Sequence, residues 1–386
     1  MKKFIISFIL LLACVFSSFS LNSVNVYADT LNLDAKAYIL IDYNSGTVLV
    51  KENEQQHLEV ASMVKLMTSL LTIEKIEAGE LDLNQKVMVS EYAASQEGSQ
   101  AFLDANQEYS IDELLKSVII ASANDSSVVL AEAIAGTEEN FVKLMNKKAK
   151  ELGLNNTKYA NSTGLPSNKE QYSCAEDIAK LLQEEIKHEL YFKYSKIWID
   201  EIIHASGRRT ELVNTNILIR QYNGCDIGKT GFTDEAGYCL SASSLKNSMR
   251  LVSVVIGAKT AKDRFTITTN LLNYGFNNFE NKKIVSKNEE VNEKLEIKGG
   301  INKYLNICFE KDFYALNKKG DKVEFQLKYE FNNNIKAPIN CGDVVGKAYI
   351  IKEGAVVGEI NIVSNETVNK ITFKDGFKKI ISNFSI

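Results

Sequence analysis

Histidine is scarce in this chain: His57, His188 and His204 are the only three. The patterns G-x-S-x-G and H-E-x-x-H are both missing. These absences argue against a Ser-His-Asp hydrolase and against a zinc hydrolase. Cysteine offers no framework either. Of six cysteines, Cys14 lies in the leading segment. The other five, Cys174, Cys225, Cys239, Cys308 and Cys341, are scattered, odd in number and show no C-x-x-C pair. Buried free thiols are the expected state, rather than disulfides or a metal site. Positive charge is not in excess: 45 Lys and Arg face 49 Asp and Glu, a formal net charge of −4. Residues 1–28 hold two lysines and no acid, so the remainder sits near −4 − 2 = −6. A nucleic-acid partner, which needs a basic face, is not expected. Internal repeats and low-complexity tracts are absent as well.

The 386 residues are 45% hydrophobic and 24% charged, as in ordinary globular proteins. Single cores stop growing at roughly 250–300 residues, so two domains are expected. Residues 1–28 read as a secretory signal: Lys2 and Lys3, an apolar run over 4–16, then Val26-Tyr27-Ala28 as a cleavage site. The run is short for a membrane span of ~20 residues, which disfavours an uncleaved anchor. Leu11-Leu12-Ala13-Cys14 loosely resembles a lipobox, which leaves lipidation of Cys14 as an alternative.

Residues 37–52 alternate apolar and polar around Asn44-Ser45-Gly46, a hairpin pattern. The stretch 62–78 carries Met63, Leu66, Met67, Leu70, Leu71 and Ile73, which predicts a helix buried on several sides. Ser110-x-x-Glu113 and Ser173-x-x-Glu176 read as capping boxes opening two further helices. Helices are also predicted over 128–135, 138–152 and 263–275. Between 225 and 258 three strands follow in succession, 225–233, 237–245 and 249–258, with short turns that favour antiparallel pairing. The expected class is α+β: an antiparallel sheet built from both ends of the first domain, an inserted helical lobe, then a small β-rich domain. Boundaries fall at 29–280, 281–370 and a terminal helix at 371–386. Residues 280–300, rich in Lys, Glu and Asn, read as a linker or exposed edge. Alternation at 323–329 and 347–351 predicts strands beyond it. Phe373, Phe377, Ile380, Ile381 and Phe384 form one stripe with Lys374, Lys378 and Lys379 off it, an amphipathic helix suited to a membrane surface or to docking on the β domain. Gly376 weakens that helix by about 1 kcal/mol relative to alanine.

Three short motifs carry the chemistry. Ser62-Met63-Val64-Lys65 places a hydroxyl and an amine three apart, on one helical face. A serine needs a base to become a nucleophile, and a lysine serves only if burial or nearby positive charge lowers its pKa. Alone the spacing says little, since Ser243 and Lys246 repeat it. Ser122-Ala123-Asn124 lies between two helices, where a loop can enter a cleft; the serine can relay a proton and the asparagine can bond a substrate amide and the lysine. This spacing also recurs, at Ser286-Lys287-Asn288, and a helix-capping serine is its plain reading. Lys229-Thr230-Gly231, followed by Phe232-Thr233, occurs once, on a predicted strand. A strand edge can pair with an extended peptide. The lysine and threonine suit a terminal carboxylate, and the glycine leaves room for close approach. The N–H groups of Ser62 and Phe232 could form an oxyanion hole.

Taken in this order, the set resembles that of the low-molecular-mass penicillin-binding proteins, the serine D-Ala-D-Ala carboxypeptidases. The likeness spans 35–280 and, more weakly, 285–386. Asn161-Ser162-Thr163-Gly164-Leu165, Asp234-Glu235-Ala236-Gly237-Tyr238 and Gly257-Ala258-Lys259-Thr260 resemble further landmarks of that family. By position Arg264 is similar to the family arginine that helps hold the substrate carboxylate. Val64 and Phe232 depart from the residues common in the family, threonine and, in some members, histidine. The resemblance implies an exported enzyme at the outer face of the cell membrane. It implies attack by Ser62 with Lys65 as base, proton delivery through Ser122, and no metal or organic cofactor. Peptidoglycan pentapeptides ending in D-Ala-D-Ala, β-lactam antibiotics and the membrane surface are the implied partners.

Rival readings remain. A class A β-lactamase would need a glutamate in the stretch around 158–165, which has no acid. A class C-like β-lactamase or esterase would use Tyr159-Ala160-Asn161 as its middle motif. A non-catalytic peptidoglycan-binding homologue would keep the fold without turnover.

Overall fold

The computed structural model describes residues 31 and 33–375. The expected signal over 1–28 and most of the terminal amphipathic helix lie outside the described residues. The chain divides into two compact units, one running to Leu245 and resuming over Arg250–Gly275, the other made of Lys246–Met249 and the chain from Phe276 onward.

In the first unit, strands β1 (Ala37–Asp42) and β2 (Val48–Glu52) form the hairpin foreseen in the sequence. A 3-10 turn, Ala61–Val64, then runs straight into helix α1 (Lys65–Glu77). The helical lobe follows with α2 (Ile111–Ile120), α3 (Asn124–Ala135), α4 (Glu138–Glu151) and α5 (Ala175–Glu185). The chain returns to the sheet as β3 (Cys225–Thr233), β4 (Gly237–Lys246) and β5 (Met249–Ala258), and then forms α6 (Ala261–Asn278). The sheet order is β2-β1-β5-β4-β3, antiparallel throughout, with Tyr38 opposite Val255 and Gly231 opposite Cys239. Both ends of the unit thus build one sheet, and β3 is left as its edge.

Residues 65–73 of α1 are all buried, including Thr68, Ser69 and Thr72. A helix enclosed on every side needs its polar groups paired. The Thr68 hydroxyl donates to the Ser162 carbonyl, that of Ser69 to Glu185 Oε1, and that of Thr72 back to its own helix. The capping box at Ser110 and Glu113 forms as expected. The second one does not. α5 begins one residue later than the pattern suggests, and its cap is Cys174, whose Sγ accepts from Asp177 N at 3.4 Å. Ser173 cannot cap because its backbone is paired with Leu58, N–H to carbonyl in both directions.

The second unit is β-rich. β6 (Phe279–Val285) pairs with β8 (Phe313–Lys318), while β7 (Ile307–Phe309), β9 (Phe325–Phe331), β10 (Val344–Lys352) and β11 (Ala355–Ser364) form a sheet in the order β7-β11-β10-β9. Residues 280–300 are therefore no linker: β6 and the short strand Leu295–Glu296 occupy them. Their lysines, glutamates and asparagines mask a buried set, Val285, Val291 and Ile297, which joins Ile307, Ile350 and Ile362 in the core. Among the described residues no helix is long and apolar enough to cross a membrane.

Candidate active site

Ser62 lies in the 3-10 turn and Lys65 is the first residue of α1. The turn is held open in an uncommon shape, with Ala61 at φ +47°. Two glycines permit it. A β-carbon on Gly164 (φ +82°) would fall 2.0 Å from the Ala61 carbonyl oxygen, and one on Gly231 would fall 2.7 Å from that of Val60. The 161–165 loop and strand β3 thereby press on the turn that presents Ser62.

Lys65 is fully buried. Its Nζ makes three contacts, with Ser62 Oγ at 3.1 Å, Asn124 Oδ1 at 2.6 Å and the Thr163 carbonyl at 2.6 Å. Burial pushes its pKa well below the ordinary lysine value, and the Lys229 charge pushes the same way, against the opposing pull of Asp125.

Ser122 occupies the bend between α2 and α3 with φ +63°, a left-handed conformation costly for a non-glycine residue. That bend aims its Oγ at Lys229 Nζ, which donates to it at 2.7 Å. Burial lowers Lys229 to about 7, helped by the nearby Arg264 charge. Asn124 is fixed from both sides: its Nδ2 donates to the Glu97 carbonyl at 2.5 Å and its backbone N–H to the Ser99 carbonyl at 2.7 Å. Ser62, Lys65 and Asn124 thus form one hydrogen-bonded set and Ser122 with Lys229 a second, and the Lys229 charge bears on Lys65.

The other candidates are placed differently. Thr230 is buried on β3 and Gly231 lies against Ser62 N. Arg264 Nη1 donates to the Gly231 carbonyl at 3.1 Å, its guanidinium lies over the rings of Tyr238 and Phe265, and its buried Nε finds no acceptor among the described residues. Phe232 is 48% exposed and stacks on Tyr238 at 4.2 Å between centroids. The Thr233 hydroxyl accepts from Ala236 N at 3.0 Å, so it is engaged in the β3–β4 turn rather than in either set.

Among the described residues the rival middle motif makes no side-chain hydrogen bond to the pair. The buried Tyr159 hydroxyl has no partner among the described residues, and Asn161 spends its side chain on the loop, accepting from Gly164 N and donating to the Leu165 carbonyl. His57, His188 and His204 bond to Asn156, Glu77 and Tyr109, none of them to Ser62. Sequence reasoning missed the backbone acceptors of Thr163, Glu97 and Ser99. Only the first left a trace, in the N-x-x-G pattern of a side-chain-stabilised turn at Asn161.

Two family models match: "D-alanyl-D-alanine carboxypeptidase" over residues 23–260 and "Penicillin-binding protein 5, C-terminal domain" over 279–370. The chain belongs to the D-alanyl-D-alanine carboxypeptidase family. Within this family of serine peptidases it is 39% identical to the D-alanyl-D-alanine carboxypeptidase DacF of Bacillus subtilis, across 91% of this chain and 90% of that protein. It is 34% identical to the carboxypeptidase DacA of Haemophilus influenzae, across 86% and 84%. Among solved structures, penicillin binding protein 5 from Haemophilus influenzae superposes with a TM-score of 0.72 at 32% identity, covering 89% of this chain and all of that one. PBP3 from Streptococcus pneumoniae gives 0.78 at 26% identity, covering 88% and 100%. The carboxypeptidase fold is therefore the transpeptidase-like α+β domain followed by a β-rich one.

Proposed function

We propose that this enzyme removes the terminal D-alanine from peptidoglycan pentapeptides by way of an ester on Ser62. The observation that carries the reading is the burial of Lys65 Nζ between Ser62 Oγ and two acceptors. Ser62 Oγ attacks the carbonyl of the penultimate D-alanine and passes its proton to neutral Lys65. The oxyanion sits against the N–H groups of Ser62 and Phe232. The C–N bond then breaks, the leaving amine takes a proton relayed through Ser122, and water cleaves the ester with Lys65 again as base. Lys229, Thr230 and Arg264 supply charge and a hydroxyl for the terminal carboxylate, Gly231 gives the strand its close approach, and Phe232 and Thr233 border the same edge.

Penicillin, a cyclic amide that mimics the substrate, acylates Ser62 in this reading. The related penicillin-binding protein D2 from Listeria monocytogenes, 29% identical, has been solved in an ampicillin-bound form, which supports it. The family assignment likewise supports action outside the cytoplasm and a catalytic domain to about 280, whereas cleavage after 28 and surface attachment by the amphipathic stripe beyond 371 rest on the sequence pattern alone. The test is release of D-alanine from a synthetic pentapeptide ending in D-Ala-D-Ala. Wild-type enzyme is expected to release one D-alanine per peptide, and Lys65→Ala almost none. Undiminished release by Lys65→Ala would overturn the assignment.

A further inference from the structure

Asp125 follows Asn124 in the first turn of α3, yet its side chain is turned inward and is 1% exposed. Its Oδ1 accepts from Ala101 N at 3.0 Å and from Ser126 N at 2.8 Å, and its Oδ2 accepts from Leu103 N at 3.0 Å. Phe102, between the two clamped amides, is held at φ +55° and is 58% exposed, an unusual state for a bulky residue. Its carbonyl is tied in turn to Arg208 Nη2 at 2.6 Å. The same segment supplies the Glu97 and Ser99 carbonyls that hold Asn124. With Nδ2 fixed on Glu97, the Asn124 oxygen has to point the other way, onto Lys65 Nζ.

We propose that Asp125 is a positioning residue for the acylating pair: it clamps residues 101–103 to the head of α3, and so sets the carbonyls that orient Asn124 and, through it, Lys65. This rests on the reading of Ser62 and Lys65 given above. A carboxylate suits the task because it only accepts and has two oxygens for two loop amides. An asparagine in its place offers one oxygen and leaves one buried N–H without a partner.

Charge adds a second consequence. The charged groups bearing on Lys65 are Lys229 from β3 and Asp125 from α3; its Ser62, Asn124 and Thr163 contacts are neutral. Asp125 also bears on His204, which burial keeps below its ordinary value. Loss of the Asp125 charge leaves the lysine amine easier to deprotonate.

The test is the rate of acylation by a fluorescent penicillin from about pH 5 to 9 for wild type, Asp125→Asn and Gly98→Ala, with thermal melts alongside. A β-carbon on Gly98 would sit 3.0 Å from Asn124 Nδ2 and disturb the segment without removing charge. Both variants are expected to lose about tenfold to a hundredfold in plateau rate, the scale on which misplacements of about 1 Å act. Only Asp125→Asn is expected to shift the acid limb of its profile to lower pH. A limb at the wild-type position in Asp125→Asn, with the melting temperature alone reduced, would overturn the proposal. So would a Gly98→Ala enzyme acylated at the wild-type rate, which tests the clamp even where Asp125→Asn does not fold. A wild-type protein that penicillin does not acylate would instead sink the reading of the pair itself.

Discussion

Gly231→Ala probes how Ser62 is held. A β-carbon at this position would lie 2.7 Å from the Val60 carbonyl oxygen, 3.2 Å from Ala61 Cβ and 3.3 Å from Ser62 N. Ordinary carbon–oxygen contact starts near about 3.3 Å, so strand β3 and the Ser62 turn must separate by roughly 0.6 Å. Neither side yields easily. β3 is paired with β4 through Cys239, and Arg264 holds the Gly231 carbonyl. The turn is pinned from its other side by Gly164. Overpacking of this kind costs about 1–3 kcal/mol of stability. Its effect on chemistry is larger, because the proposed oxyanion donors, the N–H groups of Ser62 and Phe232, sit on the two parts being driven away from each other. A misplacement of about 1 Å can cost ~10²-fold, so roughly 0.6 Å is expected to slow acylation by about tenfold or more. Stopped-flow fluorescence with a labelled penicillin measures the rate, and circular dichroism melts measure the stability. A variant that acylates at the wild-type rate would refute the claim that this contact sets the oxyanion geometry.

Three further substitutions follow from buried charge. Lys229 releases its proton near pH 7 when folded, against an ordinary lysine value of 10.5. The unfolded chain thus holds more protons between those limits, so stability is expected to rise as pH climbs from about 7 to 10, and the rise should vanish in Lys229→Met melts. Glu185 is shifted in the opposite sense: burial raises its pKa, Ser69 Oγ donates to Oε1 at 2.5 Å, and Oε2 has no partner among the described residues. Its penalty is absent at acid pH and grows as pH rises above the ordinary glutamate value. Glu185→Gln is therefore expected to match wild type near about pH 4 and exceed it near about pH 8 in urea unfolding; parallel pH curves would contradict this. Asp226 takes two hydrogen bonds from Arg250, each 2.8 Å, with both side chains largely buried. Asp226→Ala is expected to lose about 3–5 kcal/mol, read as a lowered unfolding midpoint, because the guanidinium is left buried without its counter-charge.

Much of the fold could be read from local pattern, because local physics decides those parts. The buried α1 follows from an apolar run without glycine or proline, and α2 from a capping box whose two residues lie three apart. Where a distant contact decides, the pattern misleads. Ser173 has a capping side chain, but its backbone is committed to Leu58 more than a hundred residues earlier in sequence, so Cys174 caps instead. In 280–300 the charged residues dominate the composition, while the few that matter for packing, Val285, Val291 and Ile297, are too widely spaced to register as a strand pattern. The site divides in the same way. Ser62, Lys65, Ser122, Asn124 and Lys229 have functional side chains and stood out by type and spacing. The carbonyls of Thr163, Glu97 and Ser99 belong to atoms that every residue carries, and only folding reveals which of them point at Lys65 or Asn124.

The central claim is that Ser62 is the nucleophile, activated by a buried neutral lysine. Intact mass after incubation with benzylpenicillin, followed by peptide mapping of the adduct, tests it most directly. One penicilloyl group per wild-type molecule, located on the peptide containing Ser62 and lost in Ser62→Ala, is the expected result. An adduct that maps elsewhere, or that persists in Ser62→Ala, would contradict the account.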